Sequence, residues 1–402
     1  MIHTLKTSTT RSAFLFIHAT KKISIRSICT SQPCLSSNNR TDHGDSPFST
    51  IVNGIDTFRS TLLKNTPLRH VTKPTMETMP FTGKADSWHD ALREAQDLVK
   101  TEDQDRMMDP VKLLGKDWTS FIKTMAKHYL SGDTERIRPL LVLLMAQANS
   151  STTPPTILDT QRRLAEISEM IHISSLLHYD ILDDNENQAN VFGNKMAVLA
   201  GDFLLARASL ALAQLRSAEC IELMATCIAN LVEGEVMQVK KRKHAEGDKS
   251  NDLEYYMEQC YLKTASLIAQ SCRASMVLGG GDKDVARHAY DYGKHMGLAL
   301  QLLTDVQVFA KRVANVDEVP IINAPLLFAA ESNPELKQII KRNFSAEDDI
   351  EKTRSLIYQS DGLKQTLALA DTHGQEAIKT ISALPPSSAR DALIQLARNL
   401  GQ

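Results

Sequence analysis

From about residue 86 to the C-terminus, apolar positions recur with a helical period. In QRRLAEISEMIHISSLLH, Leu164, Ile167, Ile171, Ser174 and Leu177 fall three or four residues apart, a spacing that lines one face of an α-helix. Asp159 and Thr160, just before this run, are suited to cap its start. The same pattern predicts helices over roughly 195–216, 219–243, 252–278 and 283–312, with shorter ones following. Gly279, Gly280 and Gly281 mark the end of one of them. No apolar/polar alternation lasts long enough to build a sheet. The pattern therefore predicts an all-α protein, a single large bundle whose antiparallel neighbours are joined by short loops.

The N-terminus follows no such pattern. Residues 1–41 lack Asp and Glu, are rich in Ser and Thr, and carry Lys6, Arg11, Lys21, Lys22, Arg26 and Arg40 around the apolar patch Phe14–Ile17. That composition predicts a mitochondrial transit peptide. Losing its six positive charges would take the formal charge from −2 to −8. Residues 42–85, rich in Ser, Thr, Pro and Gly, read as a loosely ordered linker. Residues 86–402 form the helical domain. Hydrophobic residues make up 42% of the chain, enough for a substantial core. The near-neutral balance gives no sign of nucleic-acid binding. No transmembrane span is expected: the most apolar run, MAVLAGDFLLARASLALA, is broken by Asp202 and Arg207 and reads as a buried helix. The six cysteines form no CxxC pair, so neither zinc nor a disulfide framework is expected.

The chemistry-bearing residues interrupt these apolar helices. Arg136 and Arg138 precede Pro139 and LLVLLMAQA, and His172 lies seven residues before Tyr179. Asp180, Asp183 and Asp184 are spaced i, i+3, i+4, so a helix would set three like charges side by side, an arrangement that a divalent cation offsets. Lys263 with Thr264, and Gln301 with Asp305, come later. Cations and carboxylates on several helices facing one core would suit a polyanionic substrate with an apolar tail, held through metal ions.

The stretches QRRLAEISEMIH, GNKMAVLAGDFLLARASLAL, NLVEGEVMQVK, LKTASLIAQSCRASMVLGG and APLLFA resemble, in order, the long-chain trans-polyprenyl diphosphate synthases, and most of all the mitochondrial branch that makes the ubiquinone side chain. The likeness covers roughly residues 105–402. It implies an isoprenoid synthase-type bundle around a central cavity, with isopentenyl and allylic diphosphates as substrates. In such enzymes the allylic diphosphate ionises and the double bond of isopentenyl diphosphate attacks the cation. Mg²⁺ ions on two aspartate-rich motifs, helped by Lys and Arg, neutralise the departing diphosphate. Carried over by position, Lys263, Thr264 and Gln301 are the catalytic candidates. Arg136, Arg138, His172, Ser174 and Ser175 are the substrate-binding candidates, and Asp180, Asp183, Asp184 and Asp305 the metal ligands. Ser174 and Ser175 stand where bulky residues plug the tail pocket in short-chain relatives, so they imply a long product; tight helix packing explains two small residues equally well.

This chain departs from the family pattern at several of these positions. The first aspartate-rich motif reads Tyr179-Asp180-Ile181-Leu182-Asp183, one carboxylate short, and the arginine pair expected after it falls on Gln188 and Ala189. GK-x-x-R-P becomes Thr134-Glu135-Arg136-Ile137-Arg138-Pro139. The second motif, QLLTDVQV, keeps Gln301 and Asp305 but has Thr304 and Val308 where carboxylates belong, and the loop ANVDEVPIIN lacks the usual Gly-Lys. A weakened Mg²⁺ site follows. So do three functional expectations. The first is a degenerate subunit, in a homo- or hetero-oligomer with a catalytic relative, supporting ubiquinone side-chain synthesis. The second is a diverged prenyltransferase serving specialised metabolism, using the shifted string Asp183-Asp184-x-x-Asn187. The third is a non-catalytic binder of prenyl diphosphates. The first predicts weak or no elongation by the chain alone; the resemblance itself, with the helical spacing, implies that Asp180 and Asp183 face Asp305 across the central cavity.

Overall fold

A computed structural model describes residues 85, 87–99, 136–152, 155–179, 194–243, 252–310, 322–346 and 348–400. The transit peptide, the linker except Ala85, Asp180, Asp183, Asp184 and residues 314–321 of the late loop lie outside these residues. Among the described residues every regular element is a helix. In chain order they are α1 (Trp88–Leu98), α2 (Ile137–Ala148), α3 (Asp159–Tyr179), α4 (Asn194–Gln214), α5 (Ala218–Lys243) and α6 (Asp252–Cys260). A π-helical turn (Tyr261–Ala265) then leads into α7 (Ser266–Leu278) and α8 (Lys283–Ala310). The chain ends with α9 (Ala324–Ser332), α10 (Pro334–Lys341), α11 (Asp349–Gln359), α12 (Gly362–Ile381) and α13 (Ser388–Arg398).

Two short apolar helices sit at the centre. On α2, Leu140 through Ala146 are all buried, so this helix has no solvent face and packs against α3, α7 and α13. On α7 every residue from Ser266 to Cys272 is buried, and the helix touches α2, α3, α5 and α8. Such all-round apolarity marks a core helix. The few polar atoms there are matched. Ser275 Oγ donates to Val142 O at 2.8 Å, and Gln161 Nε2 to Ser275 O at 2.9 Å. Tyr292 of α8, fully buried, donates to Leu393 O of α13 at 2.9 Å.

Close backbone approach fixes α8 against α7 and the π turn. A Cβ on Gly293 would lie 2.7 Å from Ala269 Cα, and one on Gly297 2.6 Å from Ala265 Cα. Only the missing side chains allow the helices to pass at this distance. A smaller apolar cluster of Phe309, Leu326, Ile339, Phe344 and Ile357 joins α9, α10 and α11 to the end of α8.

Two expectations change. Asp159 and Thr160 lie inside the first turn of α3. Asp159 pairs with Arg162 at 2.9 Å, and the N–H of Leu158 is taken by the Gln161 side chain at 2.9 Å. Helix α4, read as buried, is only partly so. Leu199 and Leu210 are 60% and 51% exposed, with Met196, Val198 and Phe203 also uncovered. By length and composition alone α4 could cross a membrane. Composition cannot tell a core helix from one whose apolar face waits for a partner.

Candidate functional site

The π turn does most of the positioning. A π bulge adds a residue to one turn and shifts the side chains on it. Here it sends two consecutive residues to different helices. Lys263 reaches α5, where its Nζ lies 3.0 Å from Glu235 Oε1. Thr264 reaches α8, donating to Gln301 Oε1 at 2.9 Å. Gln301 Nε2 in turn donates to Asp305 Oδ1 at 3.0 Å. The three sequence candidates Thr264, Gln301 and Asp305 thus form one hydrogen-bonded row.

Asp305 does not point where a surface metal ligand would. It is buried, and its Oδ2 accepts a short hydrogen bond from Tyr256 OH and another from Ala324 N at 3.2 Å. With Gln301, three donors from α6, α8 and the start of α9 occupy the carboxyl. Burial raises its pKa to about 6, partly offset by those donors. Tyr256, buried beside it, is pushed well above the ordinary phenol range by burial and by the Asp305 charge. Tyr256 and Ala324 together occupy Oδ2, and Gln301 takes one position on Oδ1.

The exposed face of the same turn carries Thr304 and Val308. The Thr304 hydroxyl donates back to Leu300 O at 2.9 Å, and Val308 offers only methyl groups. Mg²⁺ favours carboxylate and phosphate oxygens. Among the described residues, therefore, the second motif does not supply a Mg²⁺ donor set, and no cluster of three or more His, Cys, Asp or Glu suited to a metal occurs. The first motif is outside the described residues, apart from Tyr179 at the end of α3.

A second group lies on α2 and α3. Arg136 caps α2 and Arg138 sits in its first turn. The Arg138 Nε is sealed from solvent with no hydrogen-bond partner. Burial lowers the Arg138 pKa, and the Glu169 charge works against that shift. Burial raises Glu169, while Arg138 and Arg136 pull it down. His172, on the same face as Glu169 one turn later, is held well below the ordinary imidazole range by burial and by Arg138. His172 is thus neutral at physiological pH, and Arg138 is the cation that faces Glu169 and His172.

The two serines separate. Ser174 is buried and donates to Gly201 O of α4 at 2.8 Å, so it serves the α3–α4 seam. Ser175, half-buried, bonds its own helix at His172 O, 2.7 Å away. Sequence reasoning missed Glu169, Glu235 and Tyr256. The first two had a visible signal, since each is an acid within an apolar stretch already singled out: Glu169 is three residues before His172, and Glu235 is within NLVEGEVMQVK.

Comparison with known proteins follows the same outline. The polyprenyl synthetase family model matches residues 119–357. A probable mitochondrial hexaprenyl pyrophosphate synthase of Neurospora crassa is 43% identical over 343 residues, covering 71% of this chain and 76% of that protein. Decaprenyl-diphosphate synthase subunit 1 of Schizosaccharomyces pombe is 37% identical over 341 residues, covering 76% of this chain and 90% of its own. Among solved structures, a polyprenyl synthase from Caulobacter crescentus, complexed with calcium and isoprenyl diphosphate, superposes with a TM-score of 0.67 at 26% identity. That match covers 79% of this chain and 98% of the bacterial one.

Proposed function

The chain belongs to the polyprenyl synthetase family, and we propose from that premise that it binds prenyl diphosphates in mitochondria but elongates them weakly unless paired with a catalytic relative. One observation carries the reading. Where the second metal-binding stretch should offer carboxylates, α8 exposes Thr304 and Val308, and the one acid of QLLTDVQV, Asp305, is buried and engaged by three donors. Diphosphate departure needs opposite charge at fixed positions, and that charge has few protein ligands here. Cationic groups remain: Arg138 sits in the first turn of α2, and Lys263 is held beside Glu235. The chain's own residues can thus bind and orient a diphosphate.

The α4–α5 surface supports a subunit role. Leu199 and Val232 are 60% and 61% exposed, and Met196, Phe203, Leu210 and Val236 continue the uncovered stripe on both helices. Exposed apolar side chains on neighbouring helices suit contact with another protein. A partner of the same fold would present matching helices. We place this role in ubiquinone side-chain synthesis, the branch whose motifs the sequence resembles.

A titration of the purified chain into a fixed amount of a catalytic relative tests the reading. Elongation of allylic diphosphates should rise to a plateau at a stoichiometric ratio. A flat response, with no complex detectable by light scattering, would count against it. The shifted string Asp183-Asp184-x-x-Asn187 favours a second reading, a diverged prenyltransferase active by itself.

A further inference from the structure

The Lys263–Glu235 pair is unusual in its setting. The lysine is on the π turn and the glutamate on α5, and the two side chains are only 20% and 18% exposed. The residue before the glutamate is shaped to fit. A Cβ on Gly234 would stand 2.6 Å from Lys263 Cγ, 3.1 Å from Leu262 Cβ and 3.2 Å from Lys263 N. Any side chain there would push the lysine stem, or the turn that carries it, away from α5. The seam is tied on both sides of this point. Tyr255 OH donates to Met237 O at 2.8 Å, and Gln259 Nε2 reaches Gly234 O at 3.5 Å. Glycine gives the lysine stem its room, and the glutamate stands at ion-pair distance from its ammonium.

We propose that Gly234 and Glu235 are the positioning pair for Lys263: glycine opens the space for its stem, and glutamate holds its ammonium until a diphosphate takes it over. This rests on the reading that the chain binds prenyl diphosphates. The electrostatics allow such an exchange. Burial raises the Glu235 pKa to about 7, and among the described residues Lys263 is the charged group that pulls it back down. When the ammonium turns to a diphosphate, that pull weakens and the carboxylate takes a proton from solvent. The buried anion left behind is then neutral, so it neither competes with the ligand for the lysine nor stays charged in a poorly solvated place. From α6, the neighbouring Tyr255 and Gln259 bond to backbone carbonyls of α5 and bring no charge.

The sign follows. Diphosphate binding with proton uptake at Glu235 weakens as pH rises above about 7, because more of the free protein must then take up the proton. Glu235→Gln keeps the size and an acceptor but cannot ionise. The test uses the full chain, with inorganic diphosphate and Mg²⁺ as probe, by calorimetry from pH 6 to 8.5 in buffers of different ionisation heat. The ligand's own titration is common to both proteins and cancels in the comparison. The natural chain should take up more protons at pH 8 than Glu235→Gln, and its affinity should fall several-fold further across the range. A second readout needs no diphosphate: acetylation of Lys263 by dilute acetic anhydride, followed by mass spectrometry. It should be several-fold faster in Glu235→Gln, with the exposed lysines unchanged and the fold verified by circular dichroism. Equal Lys263 labelling would overturn the proposal, as would equal proton uptake with diphosphate bound. Faster labelling without any diphosphate binding to the natural chain would support the positioning role and overturn the prenyl diphosphate reading instead.

Discussion

Asp305 shows how a single residue can be legible and misread together. Its place after Gln301 assigns it to a metal-binding motif. Its register along α8 says otherwise: Leu298, Leu302, Asp305 and Phe309 share the buried stripe, while Thr304, Gln307 and Val308 face outward. The helical period in the sequence held that information, but the motif outweighed it. Burial has a measurable consequence. The carboxyl's pKa is raised from 3.8 to about 6 in the folded protein. A raised carboxyl contributes stability that is fully present below about pH 4 and lost as pH climbs through about 6, on the order of 3 kcal/mol for a shift of this size. Asp305→Asn mimics the protonated side chain. In metal-free buffer, the stability of the natural chain should therefore decline relative to Asp305→Asn between pH 4 and 7. Parallel denaturation midpoints across that range would contradict this account of the site. Asp305→Ala should destabilise at all pH values, by roughly 1–3 kcal/mol for each buried donor left unpaired.

At the scale of elements, most of the bundle could be read directly. The helices predicted over 195–216, 219–243 and 283–312 are observed as α4, α5 and α8 with ends shifted by at most two residues. Long amphipathic runs announce themselves because one face must be buried. The run over 252–278 hid the feature that matters most to the site. A π turn at Tyr261–Ala265 interrupts it, and a pattern scored against a period of 3.6 cannot reveal a local change of that period. The glycines of α8 were equally silent, since their function is defined by a neighbour distant in sequence. Gly293→Ala is expected to drive a methyl into the Ala269 backbone and to destabilise by about 1–3 kcal/mol, a drop of several degrees in Tm. Gly280→Ala, at a turn where nothing lies within 4 Å of the added carbon but φ is +74°, should be milder. An unchanged melting temperature for Gly293→Ala would mean that α7 and α8 are not held as close as described.

Across the whole molecule, the sequence carried the family and the all-α architecture because several motifs recur in one order over most of the chain. It could not show which apolar helix faces are filled by the chain itself, since burial is decided by the other elements. That is why α4 read as a core helix. If its stripe and that of α5 bind a second subunit, replacing Leu199 and Val232 with Glu should shift the assembly to monomers in light scattering while leaving helical content intact. The reading of this surface fails if the natural chain is monomeric by itself and also forms no complex with a catalytic relative at micromolar concentration.

The central claim is that this chain retains cationic groups for a diphosphate while lacking several of the acids that hold metal charge against a departing diphosphate. The most direct measurement is Mg²⁺-dependent incorporation of isopentenyl diphosphate into polyprenyl diphosphate by the purified chain without any partner, beside the variants Tyr179→Asp, Thr304→Asp with Val308→Asp, and all three together. The natural chain should show little or no elongation. Tyr179→Asp should rescue little, and the triple variant should exceed the sum of the separate gains, because metal ligands act as a unit. Robust elongation by the natural chain alone would contradict the account and move the metal site to Asp183, Asp184 and Asn187.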